Sequence, residues 1–322
     1  MNKNVLITGA NAGLGLETAR QLALRSDYGR IFVSARSQDK ADSAITFLVE
    51  QTGVPADRFE PVLFDLLDMG SIDRAVETLA SAGVHLNAIV LNAGGLSTPV
   101  DGKLPPAPSG NTRLFDMNVG GHAQLVNGLL DRGVLASGDT VVFAGTEGVR
   151  GVPSMGIGRP VLPQGELDTV LAKVVRGEHI TGKADPRNEY GLVKLIGTAW
   201  MTYLAQHRGL RALTVSPGAT AGTNAGKNVP LGMRVMFWMM MRLMKVFGRA
   251  HGVDTGAARY IQGLEDSSLM AGAFYASPGF RMSGALVAQA EEQQPLLGDA
   301  DFIAACGRLL GDGEVSRAMP LS

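Results

Sequence analysis

The first two hundred residues alternate short, continuous apolar runs with longer stretches whose apolar positions recur every three or four residues. The continuous runs Val5–Thr8, Arg30–Ala35, Phe59–Phe64, Ala88–Leu91, Thr140–Ala144 and Arg211–Ser216 read as strands buried on both faces. Helical spacing fills the intervals near residues 14–25, 38–51, 70–82, 111–132 and 188–207. This alternation predicts an α/β fold, a doubly wound parallel sheet with helices on both faces. No internal repeat or low-complexity linker divides the chain, so residues 1–322 read as a single domain with a helical lid and length enough for a large core. In such a sheet ligands lie beyond the carboxyl ends of the strands, and the residues that follow each run carry the chemistry.

After the first run comes Thr8-Gly9-Ala10-Asn11-Ala12-Gly13-Leu14-Gly15, leading into a helix. Glycines permit a tight turn and close approach of a pyrophosphate, and the helix N-terminus offers free N–H donors. Gly9, Asn11, Gly13, Leu14 and Gly15 are thus candidate cofactor contacts, although the spacing Gly-x3-Gly-x-Gly differs from the commoner dinucleotide fingerprint. After the second run stands Arg36, where an acidic residue would select NAD(H). A guanidinium suits a 2′-phosphate, so the cofactor reads as NADP(H); a solvated loop arginine is the bland alternative. Asp65-Leu66 follows the third run and can meet an adenine edge, or Asp65 can cap the next helix, a task open to Asp68 and Ser71 as well. Asn92-Ala93-Gly94 follows the fourth and leaves room for a ribose.

Taken with Asn118, Tyr190-x3-Lys194 and Pro217-Gly218, these pieces resemble the short-chain dehydrogenase/reductase family in order and interval, over roughly residues 3–220. The resemblance implies a Rossmann-type fold. It also implies a catalytic group of Tyr190, Lys194, Asn118 and a hydroxyl just after the fifth strand, where this chain has Thr146 in place of the family's serine. Tyr190 and Lys194 share one helix face. A nearby ammonium is expected to lower the tyrosine pKa so that Tyr190 can pass a proton to or from a substrate oxygen. The resemblance further assigns Lys194 to the nicotinamide ribose and Asn118 to a water that relays protons to Lys194. Tyr190, Lys194, Pro217, Gly218 and Thr220 would contact the cofactor, with Thr223 an alternative to Thr220 for the carboxamide. Glu147 reads as the cap of a turn, with contact to the substrate as the alternative.

An insert at 148–187 separates Thr146 from Tyr190; it carries Pro153, Pro160, Pro163 and a helical stretch Glu166–Arg176, and is expected to overhang the site. A similar insert, and the segment from Ser268 to Tyr275, resemble the protochlorophyllide-reductase and retinol-dehydrogenase branch. Against the former activity, Ala219 stands where that enzyme has a cysteine. A lid is expected over 219–250; its Met-rich part, Met233 to Phe247, suits a lipophilic substrate, with an ordinary packing helix as an alternative. Arg234, Arg242, Lys245 and Arg249 gather within about one quadrant of a wheel, which leaves open a peripheral membrane contact through 231–249. A C-terminal extension, 288–322, with helical spacing at Asp301–Leu310, is expected on the lid side or on a homo-oligomer surface.

Composition removes other classes. A net charge of −1 gives no general attraction to nucleic acid. Five histidines without paired spacing predict no metal site. The lone Cys306, the start of strand pattern almost at Met1 and the lack of a long uncharged apolar run predict a cytoplasmic protein, with membrane association open. The expected activity is NADPH-dependent reduction of a carbonyl in a bulky apolar compound. Its rivals are reduction of a C=C bond in a large conjugated ring and a non-catalytic NADP(H)-binding sensor.

Overall fold

The computed structural model describes residues 2–220 and 250–311. An eight-stranded sheet forms the centre, in the order β3-β2-β1-β4-β5-β6-β7-β8. Its strands are β1 (Lys3–Ile7), β2 (Tyr28–Ala35), β3 (Phe59–Leu63), β4 (Ala88–Leu91), β5 (Thr140–Ala144), β6 (Arg211–Val215), β7 (Phe274–Ala276) and β8 (Val287–Ala288). All neighbours are parallel except β7 and β8. The order reverses between β1 and β4, where Ile7 pairs with Val33 on one side and Val90 on the other. A crevice for ligands opens at such a reversal.

The continuous apolar runs have a simple cause. Successive side chains point to opposite faces, and both faces are covered. Leu6, Phe32, Ile89, Val141 and Phe143 enter one core, packed by α3 (Met69–Ser81), α4 (Gly121–Asp131) and α6 (Pro186–His207). Val5, Ile7, Ile31, Val33, Val90 and Val142 enter the other, under α1 (Gly13–Ala23), α2 (Gln38–Thr52) and α7 (Val253–Glu265). Beyond α6 lie α5 (Leu167–Arg176) and α8 (Ala300–Gly311). The fold is thus the doubly wound, Rossmann-type α/β sheet expected from the alternation.

Three elements differ from the sequence expectation. The stretch 111–132 is not one helix: a single turn, Arg113–Phe115, passes into a π-turn, Asp116–Gly120, before α4. The cause is buried polar chemistry, with the Asp116 carboxylate accepting from Ser109 and Asn111. Strands β7 and β8 were unforeseen because three and two residues are too short for a period to register. The helix at 300–311 packs on α6 and α5; Phe302, Ile303, Cys306 and Leu310 complete the core there, and Arg308 pairs with Asp168 of α5 at 2.9 Å. The insert is likewise tied down, with Val175 O accepting from Thr112 N at 2.8 Å. Residues 221–249, including Thr223 and the Met-rich stretch with its expected membrane contact, lie outside the described residues, as does 312–322.

Helix α6 approaches the sheet closely because residue 197 has no side chain. A Cβ there would lie 2.6 Å from Phe143 Cζ and 3.0 Å from Val119 Cγ2. Gly197→Ala is expected to lower unfolding stability by about 1–3 kcal/mol through overpacking, read from the urea midpoint.

Candidate active site

The carboxyl ends of β1, β4 and β5 and the first turns of α6 converge on one crevice. Gly9 and Gly13 have positive φ, +66° and +57°. A Cβ on Gly15 would lie 2.5 Å from Gly9 O and 2.6 Å from Asn92 Nδ2, so the corner closes only with glycine there. By contrast, a Cβ on Gly13 would meet nothing within 4 Å, so the outer face of the turn is open. Ala12 precedes α1 and offers no side-chain cap to its first N–H groups. This backbone fits a dinucleotide pyrophosphate: open space, an uncapped positive helix end and no competing carboxylate in the first turn.

Thr8 ties the strand ends together. Its hydroxyl accepts from Ala93 N (2.9 Å), and its carbonyl accepts from Asn92 Nδ2 (2.9 Å). The Thr8 hydroxyl also meets His122 Nε2 at 3.0 Å, while His122 Nδ1 meets Asn118 O at 3.2 Å. A carbonyl only accepts, so Nδ1 carries the proton and Nε2 accepts from Thr8. Burial first, and then the charge of Lys194, push the His122 pKa down to about 3, which keeps the ring neutral.

Asn118 sits in the π-turn, fully buried. Its Nδ2 donates to Gly95 O (2.9 Å) and Leu114 O (2.8 Å), and its Oδ1 accepts from Gly95 N (3.0 Å). Both amide hydrogens are therefore spent on backbone, and what the side chain does here is fix the Gly94-Gly95 loop. At the end of β2, Arg36 is 63% exposed, with Nη1 3.9 Å from Asp65 Oδ2. Asp65 Oδ1 accepts from Leu67 N, and the cap of α3 is Asp68, accepting from Ser71 N. The Leu66 side chain belongs to the core. Leu14 and Thr220 meet over Gly256 of α7, whose Cβ would lie 2.7 and 2.8 Å from them.

Tyr190 and Lys194 lie on the first turns of α6, which Asp185 caps by accepting from Arg187 N. Lys194 is 1% exposed; its Nζ donates to Ala144 O at 2.9 Å and stands 4.4 Å from the Phe143 ring centroid and 5.7 Å from that of Tyr190. Burial drops its pKa to about 7. The Tyr190 pKa moves opposite to the expectation. Burial, reinforced by the Glu147 carboxylate, pushes it up to about 12. Thr146 caps the short turn Glu147–Val149, its hydroxyl accepting from Gly148 N at 3.2 Å. That turn rests on α6 beside Tyr190, with Thr146 and Gly191 both within 3.6 Å of a Cβ placed on Gly148.

Glu147 is no turn cap. It is 2% exposed and accepts from Ser216 Oγ (2.6 Å) and Ser277 Oγ (3.0 Å), with Arg259 Nη1 at 3.7 Å. Ser216 Oγ in turn accepts from Gly218 N (3.1 Å), and Arg259 donates to Ser216 O. The buried carboxylate thereby joins the ends of β5, β6 and β7 and shapes the Pro217-Gly218 turn, where φ of Gly218 is +73°. Sequence reasoning missed Ser216, Ser277, Arg259 and His122. One usable signal existed: Arg259 falls on the apolar face of α7, beside Tyr260.

Residues 3–157 match the model of the short chain dehydrogenase family. Over that stretch, just under half of its length, the chain is similar to short-chain dehydrogenases. Among curated relatives, the short-chain dehydrogenase/reductase prx1 of Penicillium roqueforti is 28% identical over 224 residues, 68% of this chain and 58% of that protein. The short chain dehydrogenase rstn4 of Aspergillus nomiae is 36% identical over 117 residues, 36% of this chain and 30% of that protein. The matched stretch thus spans less than two thirds of these family members. Among solved structures, L-sorbose reductase from Gluconobacter frateurii, complexed with NADPH and L-sorbose, superimposes with a TM-score of 0.60 at 18% identity, covering 88% of this chain and 98% of that one. A short-chain dehydrogenase/reductase from Serratia marcescens gives 0.59 at 17% identity, covering 84% and 94%. At these identities the likeness is one of fold. Among the described residues, no helix is long and apolar enough to cross a membrane.

Lys194 also makes a stability prediction. Its folded pKa of about 7 lies below the unfolded value of 10.5. The unfolded chain therefore binds the extra proton between the two, and stability rises with pH across that window. Relative to Lys194→Met, the wild-type unfolding free energy should climb from pH 7 toward pH 10 by at most about 1.4 kcal/mol per unit, measured by denaturant titration at each pH.

Proposed function

We propose that this protein is an NADP(H)-dependent oxidoreductase that reduces the carbonyl group of a bulky apolar compound. One observation carries the reading: Lys194 is buried against Ala144 O at the carboxyl end of β5, with the ring of the partly buried Tyr190 centred 5.7 Å from its Nζ, beside the turn that Thr146 caps and at the same end of the sheet as the open glycine corner. Bound NADPH would supply the hydride. Gly9, Asn11, Gly13, Leu14 and Gly15 would hold its phosphates, Arg36 the 2′-phosphate, and Asp65 with Leu66 the adenine. Asn92, Ala93 and Gly94 would border the ribose, with Pro217, Gly218 and Thr220 at the nicotinamide end.

The remaining work falls to this chain's side chains. A tyrosine held near 12 stays protonated at neutral pH, which suits donation from the Tyr190 hydroxyl to a substrate oxygen. Thr146 offers a second hydroxyl to the same oxygen. Lys194 can exchange its bond to Ala144 O for ribose hydroxyls and re-protonate Tyr190, since a pKa of about 7 lets it release and regain a proton. Asn118 and His122 hold the surrounding loop and strand ends. The exposed apolar residues Leu96, Val100, Met155 and Val161, on the loops after β4 and β5, support an apolar substrate. Reduction of a C=C bond, as in the protochlorophyllide-reductase branch, has less support: Ala219 replaces the donor cysteine, and Cys306 is fully buried in α8.

Tyr190→Phe is expected to lower NADPH oxidation with a panel of hydrophobic ketones and aldehydes by about 10²- to 10⁴-fold while leaving NADPH binding intact. Full activity in that variant would remove the mechanism. Tight NADPH binding by wild type with no oxidation across the panel would favour a sensor, and a spectral change on illuminating protein, NADPH and pigment would favour C=C reduction. Arg36→Asp should weaken NADPH about tenfold or more and leave NADH little changed, read by fluorescence titration.

A further inference from the structure

Near the ends of β5, β6 and β7, two buried guanidiniums share one buried carboxylate. Arg150 is 1% exposed, Arg259 4% and Glu147 2%. The single carboxylate of this group stands 3.7 Å from Arg259 and already accepts from two serines. Arg150 has no ion pair among the described residues. Its Nη2 donates to Ser277 O (3.1 Å) and Arg281 O (2.6 Å), while its Nε and Nη1 are buried without a hydrogen-bond partner. A guanidinium in that state is strongly disfavoured unless a counter-charge joins it.

The same arginine lines a pocket of about 630 Å³. The walls include Arg159, Phe280 and Glu292, and the glycine-rich loop 151–158 runs beneath. Arg159 forms no ion pair among the described residues; its Nη1 donates only weakly to the Glu292 backbone carbonyl, at 3.4 Å. The Phe280 ring lies over the Arg150 guanidinium, with its centroid 5.7 Å from Cζ, and is itself 53% exposed. It can swing into solvent and uncover the unpartnered N–H groups.

We propose that this pocket binds a small anion bearing a carboxylate or phosphate group, held by Arg150 and Arg159 after Phe280 moves aside. Planar guanidinium donors match both groups. Size favours a compound larger than a simple ion. Because Pro160 and Gly148, which flank the pocket loop, pack against Gly191 next to Tyr190, an occupant would also brace the loop beside the catalytic helix. The site does not depend on the activity proposed above.

The test uses the full chain saturated with NADP+, so that phosphate-binding positions of the cofactor are filled. Inorganic phosphate and succinate are titrated separately at constant ionic strength, with sodium chloride as the control, and thermal unfolding and calorimetry are followed. Saturable stabilisation by at least one probe beyond chloride is expected, and the pair of titrations tells phosphate from carboxylate preference. Arg159→Gln, an exposed substitution that spares the core, should weaken binding about tenfold, and Arg150→Met at least as much. Phe280→Ala should strengthen it. No stabilisation by either probe, or equal affinity in wild type and Arg159→Gln, would overturn the proposal even if Arg150→Met failed to fold.

Discussion

An ammonium taken out of water and held by one backbone carbonyl is the constraint on which the catalytic region depends. Lys194 reaches Ala144 O because Gly197 lets α6 settle on Phe143 and Val119. Once there, Lys194 is desolvated, and its pKa falls to about 7. The consequences spread through neighbours in contact with it. His122 is held neutral partly by that charge, and the Asn118 carbonyl fixes its tautomer, which orients the Thr8 hydroxyl toward Nε2. Thr8 in turn holds Ala93 and, through its carbonyl, Asn92. A single close approach of helix to sheet therefore organises both the Tyr190–Lys194 side of the crevice and the Asn92-Ala93 loop.

The second organising feature is the Glu147 carboxylate. It bridges Ser216 at the end of β6 and Ser277 after β7, and pairs with Arg259 of α7. Such a buried pair is weak support for stability, since desolvation opposes the Coulomb attraction. Its value here is geometric: Ser216, fixed by Glu147, accepts from Gly218 N and sets the turn that faces the cofactor crevice. The same anion helps keep the Tyr190 proton in place. Structural and proton-holding roles thus meet in one residue, and Arg150, the second guanidinium beside it, is left without a counter-charge of its own.

Much of the crevice was legible in advance because it is written locally. Gly9, Gly13 and Gly15 are dictated by one turn, and Tyr190 and Lys194 by one helical repeat. Arg36, Asp65 and Asn92 were singled out by position, each directly after an apolar run. Other features eluded the pattern for definite reasons. The π-turn around Asn118 arises from Asp116 finding partners in Ser109 and Asn111, which no helical period reveals. Glu147 looked like an ordinary polar turn residue because its partners lie 69, 112 and 130 positions away in sequence.

By itself the sequence determined the alternation of strand and helix, the doubly wound sheet, the glycine corner and the tyrosine–lysine pair, because each follows from periodicity or from a few adjacent residues. Tertiary structure alone decided how charged those groups are and what they touch. It reversed the expected direction of the Tyr190 pKa, spent the Asn118 amide on backbone, made Glu147 a buried anion and sent α8 into the core beside α6. Desolvation and long-range pairing depend on what surrounds a group in space, and neighbours along the chain do not specify that.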